Sequence, residues 1–190
     1  MSFVATCQGG KLMKRVMICG APGSGKSTLA RMIGDRTGLP VQHMDHIHWK
    51  SGWVAREQPE KTAMALAVSA TDEWVFEGGH SRTYAERAAR AEMLIWLDLP
   101  IGLRMWRVIR RTWQHRGQTR PDLPDGCPEG FYWHTFAFWK WIWDTRHTNR
   151  LKVEALRNTP DLVFHQLTSP VQVEAFLATH FPVTDSKTES

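Results

Sequence analysis

The stretch Gly20-Ala21-Pro22-Gly23-Ser24-Gly25-Lys26-Ser27 decides the fold of this chain. It has the pattern G-x-x-x-x-G-K-[ST], a glycine-rich turn followed by a lysine and a hydroxyl residue. A short apolar run, 14–19, precedes it, and a helix-forming stretch, 26–36, follows it and stops at Gly38. The sequence therefore predicts a strand, a phosphate-binding loop and a helix, in that order.

Each fixed position of this motif has a chemical role. The loop turns its backbone N–H groups toward the α- and β-phosphates of a nucleotide, and the positive end of the following helix adds to the attraction. Lys26 is expected to neutralise the β- and γ-phosphates, and the Ser27 hydroxyl to bind the Mg²⁺ that bridges them. We therefore predict ATP and Mg²⁺ as cofactors. The predicted nucleotide-binding residues are Gly20, Gly23, Ser24, Gly25, Lys26, Ser27 and Thr28.

Strands and helices alternate along the rest of the chain. Further strands are predicted at 39–44, 74–77, 93–97 and 162–167, and further helices at 59–70, 84–90, 101–115, 129–156 and 171–180. This alternation predicts an α/β protein of three layers with a parallel, five-stranded sheet. A length of 190 residues fits one domain, which we place at 14–183.

Composition limits the class of protein. Hydrophobic residues make up 42% and charged residues 23%, as in soluble globular proteins, so a wholly disordered chain is excluded. No apolar run is long enough to span a bilayer and residues 1–12 do not resemble a signal peptide, so we expect a cytoplasmic protein without a membrane partner. The widely spaced Cys7, Cys19 and Cys127 do not predict a disulfide framework. The net charge of +5 favours a polyanionic partner, from a nucleoside triphosphate to a nucleic acid.

Four further stretches carry a family resemblance. They are His43-Met44-Asp45-His46-Ile47-His48-Trp49 with Gly52-Trp53, Asp72-Glu73-Trp74-Val75-Phe76-Glu77-Gly78, Arg116-Gly117-Gln118-Thr119-Arg120-Pro121-Asp122, and Gly126-Cys127-Pro128-Glu129. With the loop motif, over about residues 14–170, the chain resembles the adenylate-kinase-like family of small-molecule and nucleoside-monophosphate kinases. Within that family it resembles the bacterial branch labelled DNA topology modulation protein, FlaR-like. The resemblance implies ATP use and a P-loop fold.

The resemblance also implies roles for single residues. Glu77 ends the strand expected beside the loop strand, where related kinases have an aspartate that holds Mg²⁺ directly or through water. Asp45, at the tip of the second strand, is expected to act as general base or to anchor the acceptor, and a helix or turn cap is the alternative. Gly78, Gly79 and Arg82 are expected to bind the acceptor, although Arg82 could equally be a solvated surface arginine.

A basic block without Asp or Glu follows. It contains Arg104, Arg107, Arg110, Arg111, Arg116 and Arg120. In related kinases this region leads into a mobile lid, here about 112–130, whose arginines offset charge on the transferring phosphoryl group. Arg111 and Arg116 are the expected catalytic arginines, with Arg146 contributed by the returning helix, and a solvated helix face is the alternative for the rest. The expected domain is flanked by an N-terminal extension, 1–13, and a disordered tail, 184–190.

Two other patterns admit alternatives. His43, His46 and His48 could form a transition-metal site, with zinc as the candidate ion, but no second ligand cluster accompanies them, so a pocket or structural role is favoured. Eight aromatic residues between 131 and 143 could stack nucleic-acid bases, whereas burial or a partner interface is the favoured interpretation. They are Phe131, Tyr132, Trp133, Phe136, Phe138, Trp139, Trp141 and Trp143.

The function predicted from these residues is an ATP-dependent phosphotransferase acting on a small acceptor. The alternative is an ATP-binding regulatory protein that binds DNA and modulates its topology, and a third is a nucleotide-binding scaffold with incidental ATPase activity. The chain contains no helix-turn-helix or zinc-finger signature, which disfavours nucleic acid as the partner. The identity of the acceptor and the oligomeric state stay open at this point.

Overall fold

A computed structural model describes residues 13–183. The predicted extension, apart from Met13, and the predicted tail 184–190 lie outside the described residues. The described strands are β1 Arg15–Gly20, β2 Val41–His43, β3 Trp49–Lys50, β4 Val54–Ala55, β5 Trp74–Glu77, β6 Met93–Leu97 and β7 Val163–Leu167. The described α-helices are α1 Lys26–Thr37, α2 Met44–His48, α3 Gln58–Ala70, α4 Tyr84–Arg90, α5 Ile101–Gln114, α6 Trp133–Asp144, α7 Arg146–Glu154 and α8 Pro170–His180.

Five strands of residues 13–183 form the main sheet, in the order β2-β5-β1-β6-β7, and every neighbouring pair is parallel. This confirms the predicted α/β fold and its five-stranded parallel sheet. The strand that precedes the phosphate-binding loop, β1, lies at the centre, with Ile18 beside Glu77 and Gly20 beside Leu97. Because the carboxyl ends of parallel strands meet at one edge, the loop opens onto a crevice at that edge.

Helices cover both faces of the main sheet. Side chains of β1 alternate between the faces: Val16 and Ile18 pack with α1 and α8, and Met17 and Cys19 pack with α2, α3, α4 and α7. All four side chains are fully buried, as expected for a central parallel strand that is covered on both sides. The result is the three-layer arrangement that the alternating pattern predicts.

The second strand is shorter than predicted. It ends at His43, and Asp45 lies in the short helix α2 instead of at a strand tip. Met44 and Ile47 are both buried, 1% and 6% exposed, and their spacing of three residues matches a helical turn. Burial of this apolar pair turns the chain one residue after His43 and moves Asp45 onto a helix.

The long helix predicted over 129–156 is two helices, α6 and α7, which meet at Thr145. The helical conformation begins only at Trp133, because the backbone of Glu129 is paired with Gly117 and Gln118 inside the preceding loop. This loop, which the sequence predicts at 117–130, connects α5 to α6.

The aromatic stretch is not buried as predicted. Most of its rings are exposed, and Trp133, at 88%, is almost fully so. Of the two favoured interpretations, burial is therefore wrong for most of this stretch, and a partner interface stays a prediction. Trp106 and Trp113 on α5 are also exposed, at 54% and 75%.

The expectations about membrane spans and disulfides can be compared with the described residues. Within residues 13–183, no helix combines the length and the apolar character needed to cross a membrane. Cys19 and Cys127 are buried and carry no disulfide, whereas Cys7 lies outside the described residues.

Truncation of the sheet core tests this packing. Leu94→Ala, in the fully buried strand β6, is expected to lower the free energy of unfolding by about 2–5 kcal/mol, because it leaves a cavity. Leu151→Ala on α7 is the control, since Leu151 is 70% exposed and its change should stay within about 0.5 kcal/mol. Urea unfolding measures both, and equal destabilisation of the two variants would contradict the described core.

Candidate active site

The phosphate-binding loop, residues 20–27, connects the end of β1 to the start of α1. Two of its glycines, Gly23 and Gly25, have left-handed backbone angles, with φ of 77° and 94°, which other residues rarely adopt. A Cβ atom at Gly23 would collide with the backbone carbonyl of Arg104. α5 therefore packs directly against the loop backbone, and only glycine permits this approach.

Polar side chains surround the loop. Lys26 Nζ reaches back to donate to the carbonyl of Ala21 at 3.4 Å, and Arg107 donates to the carbonyl of Ser24 at 3.4 Å. The buried Ser24 hydroxyl has no hydrogen-bond partner within residues 13–183. Such a hydroxyl costs about 1–3 kcal/mol unless a ligand satisfies it. With the backbone N–H groups at the start of α1, it forms a set of donors that fits a phosphate.

Glu77 ends β5, the strand beside β1, and its side chain is buried. The carboxylate accepts hydrogen bonds from Ser27 Oγ at 3.0 Å and from His43 Nδ1 at 2.8 Å. Burial raises the pKa of Glu77, but these hydrogen bonds and the charge of Lys26 outweigh it and hold the pKa below its usual range. An ionised carboxylate beside a serine hydroxyl supplies oxygen donors of the kind that Mg²⁺ prefers.

The three histidines of the zinc alternative face different partners. His43 donates to Glu77, His46 is exposed with its Nε2 3.1 Å from the carbonyl oxygen of Pro121, and His48 lines the cavity. In the part of the chain that the structure describes, no three His, Cys, Asp or Glu side chains are grouped so that they could hold a metal ion. The zinc alternative therefore has no support from these residues.

Asp45 lines the same cavity as the loop. Burial raises the pKa of its carboxyl, and the nearby charge of Glu77 raises it further, whereas Lys26 and Arg120 act in the opposite direction and are outweighed. A carboxylate with a raised pKa accepts a proton more readily than an exposed aspartate does. This position suits a group that orients a hydroxyl and removes its proton.

A buried ionic cluster, which we call the arginine cluster, lines the cavity near Asp45. It consists of Arg111, Arg120, Asp122 and Glu129. Arg120 donates to Glu129 at 2.8 Å and also pairs with Asp122, so both carboxylates bind it. Arg111 Nε lies 3.6 Å from Glu129 but has no hydrogen-bond partner among the described residues. Burial, and then the charge of Arg120, lower the pKa of Arg111. Arg111 therefore borders the cavity with unused hydrogen-bonding capacity.

The predicted lid segment, residues 112–130, lies against the region around α2 and the β3–β4 hairpin. The carbonyl of Gly126 accepts from the Gly52 N–H at 2.9 Å. The carbonyl of Pro128 accepts from Trp53 Nε1 at 3.0 Å. The segment therefore closes the cavity on the side of Asp45, and its mobility stays a prediction.

The structure brings most of the predicted site residues to one cavity. They are the loop residues Gly20–Thr28 together with Asp45, Glu77, Gly78, Gly79, Arg111 and Arg146. Arg82 and Arg116, in contrast, are exposed and lie outside its lining. α5 ends at Gln114, so Arg116 follows the turn away from the cavity and Arg120 enters the arginine cluster instead. This placement does not support the prediction that Arg82 and Arg116 act in the site.

Some cavity residues are not predicted from the sequence. Asp122 and Glu129 fall in two of the stretches that carry the family resemblance, and this position in the sequence is the signal that could have identified them. Lys61 and His80 give no sequence signal, because they enter the cavity only through the packing of α3 against α2 and α4.

The cavity has a volume of about 1610 Å³. Pockets that hold one small molecule usually have about 300–1,000 Å³. The cavity as a whole, which extends from the phosphate-binding loop to Asp45 on one side and to residues of α7 and α8 on the other, is therefore large enough for two ligands.

Solved structures with a similar fold include small-molecule kinases. Shikimate kinase from Acinetobacter baumannii, in complex with shikimate, matches with a TM-score of 0.57 and 14% identity, over 87% of this chain and 92% of that one. A sugar kinase from Janibacter sp. HTCC2649 matches with a TM-score of 0.53 and 15% identity, over 90% and 96% of the two chains. A gluconokinase from Sinorhizobium meliloti 1021 matches with a TM-score of 0.50 and 16% identity, over 88% and 89%.

This chain shares its fold, a parallel five-stranded sheet with flanking helices, with these three kinases. At identities of 14–16% the likeness shows the fold alone. No protein-family model matches the chain, and no curated protein matches it significantly in sequence.

A pair of glycine substitutions tests the phosphate-binding loop. Gly23→Ala adds a methyl group at a left-handed position against the Arg104 carbonyl, and we expect it to cost about 1–3 kcal/mol of stability and to weaken MgATP binding. Gly102→Ala is the control, because a Cβ at this helical glycine meets no atom within 4 Å and alanine favours a helix. Urea unfolding and isothermal titration calorimetry measure the two effects. MgATP affinity that falls equally in both variants, or in neither, would contradict this account of the loop.

Proposed function

We propose that this protein is an ATP-dependent phosphotransferase that transfers the γ-phosphoryl group to a hydroxyl of a small acceptor. One observation carries the proposal: the phosphate-binding loop, Asp45 and Arg111 line one cavity that is large enough for two ligands. A protein that only binds a nucleotide needs the loop, but it does not need a carboxylate of raised pKa and a cation with unused hydrogen-bonding capacity beside it.

The nucleotide side of the cavity is assigned to the loop. Lys26 and the N–H groups at the start of α1 would bind the phosphates, and the Ser24 hydroxyl would gain the partner that it lacks. Ser27 and Glu77 would hold Mg²⁺, directly or through water, and the bound ion would offset the negative charge of the phosphates. Glutamate is one methylene longer than the usual aspartate, and its contacts with Ser27 and His43 fix its position.

The acceptor side is assigned to Asp45. Its carboxylate would accept a hydrogen bond from the reacting hydroxyl and take its proton as the oxygen attacks. The raised pKa suits this role, because proton transfer is most efficient when the base and the working pH are close.

Arg111 would stabilise charge on the transferring phosphoryl group. Its neighbour Arg120 is already bound to Asp122 and Glu129, so Arg111 is the freer of the two arginines in the cluster. Arg146, whose guanidinium stacks on the Trp143 ring at 4.5 Å, also lines the cavity and would add to the positive field.

The resemblance to the FlaR-like branch raises an alternative to this proposal, a DNA-binding protein, since that branch is labelled for DNA topology modulation. The placement of the basic block favours a kinase over a DNA-binding protein. Arg104 and Arg120 are buried, and Arg107 contacts the loop, so the block does not form a continuous basic surface. DNA binding requires several exposed cations that reach successive phosphates.

The proposed reaction is tested by ADP release across a panel of nucleoside monophosphates and small hydroxylated metabolites, with an acceptor-free control for ATP hydrolysis. Asp45→Asn is expected to lower acceptor-stimulated ADP release by about 10²–10⁴-fold and to leave MgATP affinity unchanged. In the unmodified protein the rate should fall at acidic pH as Asp45 is protonated, with a midpoint above the ordinary aspartate pKa. Asp45→Asn should remove this acidic limb from the plot of rate against pH.

Asp35→Asn is the control for this variant, since Asp35 is exposed on α1 and does not line the cavity. If MgATP affinity falls by the same factor as turnover in Asp45→Asn, Asp45 belongs to the nucleotide side and the assigned role is wrong. If no acceptor raises ADP release above the acceptor-free control, the proposed phosphotransfer is wrong.

A second pair of variants tests the arginine cluster. Arg111→Ala is expected to lower kcat by about 10²-fold or more and to change acceptor and ATP affinity little, because its contacts form mainly in the transition state. Arg110→Ala is the neighbouring control, since Arg110 is exposed and its guanidinium lies over the exposed Trp106 ring. Steady-state kinetics measure both variants. Equal losses in the two would show that the general positive charge of α5, and not Arg111 itself, supports turnover.

A further inference from the structure

Lys61 is a buried lysine without an acidic partner. It lies in the first half of α3, is 3% exposed, and lines the cavity. Its ammonium group forms no hydrogen bond or ion pair within residues 13–183, whereas the exposed Lys50 nearby is paired with Glu60 at 3.3 Å. The side chain is buried, but its ammonium nitrogen reaches the open space of the cavity, where the described residues supply no counter-charge. An anionic ligand in the cavity would supply the missing partner.

The nearby carboxylates do not pair with Lys61. Glu60, on the same helix, pairs with both Lys50 and Arg56, at 3.3 Å and 3.2 Å. Asp45 and Glu77 lie in the same cavity, but neither is within ion-pair distance of Lys61, and Glu77 binds Ser27 and His43. The protein itself therefore leaves the charge of Lys61 uncompensated.

Two histidines and two tryptophans complete this part of the cavity. Burial, and then the charge of Lys61, lower the pKa of His48 to about 4, and the same two causes lower the pKa of His80. Both imidazoles are therefore neutral near pH 7, so they can donate a hydrogen bond without adding a positive charge. His80 Nε2 already lies 3.1 Å from Thr62 Oγ1, so His80 can donate to a ligand only from Nδ1, with the Thr62 hydroxyl donating to Nε2. Trp49 and Trp53 pack edge to face at 5.3 Å and form an apolar wall.

We propose that Lys61 binds a carboxylate group of the acceptor, assisted by hydrogen bonds from His48 and His80. This inference rests on the proposed function, and it narrows the acceptor to a hydroxylated monocarboxylic acid. One lysine balances one carboxylate. A phosphate ester carries about −1.5 to −2 charges at pH 7 and would leave negative charge unbalanced close to Asp45 and Glu77.

The geometry of α2 allows one molecule to reach both groups. Asp45 and His48 are three residues apart on this helix and both line the cavity. Residues at this spacing are neighbours on a helix surface, with Cβ atoms about 5–6 Å apart. A small hydroxy acid can therefore place its hydroxyl at Asp45 and its carboxylate between His48 and Lys61.

The test uses three ligands with the same carbon skeleton: gluconate, the neutral glucitol, and glucitol 6-phosphate. Binding is followed by NMR through the Cε1–H resonances of His48 and His80, assigned with His48→Gln and His80→Gln. These resonances report on the neighbourhood of Lys61, so a ligand that binds only in the phosphate-binding loop does not mimic the effect.

Gluconate is expected to shift both resonances saturably and to bind more tightly than glucitol or glucitol 6-phosphate. Lys61→Met should weaken gluconate binding by about tenfold or more, and Lys61→Arg should retain most of it. Lys50→Met is the control that removes an exposed charge nearby, and it should leave binding unchanged. Lys61→Met should also raise the pKa of His48, which shows that the variant is folded and lacks the buried charge.

The proposal is wrong if gluconate causes no saturable shift, if Lys61→Met binds it as well as the unmodified protein, or if glucitol binds equally well. Tighter binding of glucitol 6-phosphate would overturn the choice of a carboxylate. These shifts do not depend on turnover. Lys61-dependent gluconate binding without any acceptor-stimulated ADP release would therefore leave the anion site standing and refute the proposed phosphotransfer.

Discussion

The buried carboxylate of Glu77 joins three neighbouring elements at the carboxyl edge of the main sheet. It accepts hydrogen bonds from Ser27 at the start of α1 and from His43 at the end of β2, and it ends β5 itself. Burying an ionised carboxylate without partners destabilises the folded protein by on the order of several kcal/mol, so loss of these hydrogen bonds is strongly unfavourable. The phosphate-binding loop, the predicted Mg²⁺ ligands and the entry to α2 are therefore held in one fixed arrangement.

Three cationic side chains lie at different places in the cavity. Lys26 lies at the loop, Arg111 lies with the arginine cluster, and Lys61 lies on α3. Asp45 shares the cavity with all three cations, yet burial and Glu77 keep its pKa raised. A phosphoryl group that moves from the loop toward Asp45 stays close to positive charge, whereas the reacting hydroxyl meets a carboxylate that can take its proton.

Local sequence patterns were sufficient for the framework of the site. The loop motif and the apolar runs predicted the order of strands and helices, because these depend on glycine angles and on burial of each strand. Features that depend on tertiary packing were not predictable. Asp45 lies on a helix because Met44 and Ile47 are buried together, Lys61 acquires its importance only through the packing of α3, and the aromatic rings of α6 are exposed although their composition suggests burial.

The most direct test of the account is the fate of the γ-phosphoryl group, followed by ³¹P NMR. The protein is incubated with MgATP and a pool of small hydroxylated acids, and the same sample is run without the pool. A phosphotransferase should give a new phosphate-ester resonance that grows as the γ-phosphate signal of ATP decreases, and it should do so only when the pool is present. Release of inorganic phosphate alone, at the same rate with and without the pool, would contradict the proposed phosphotransfer.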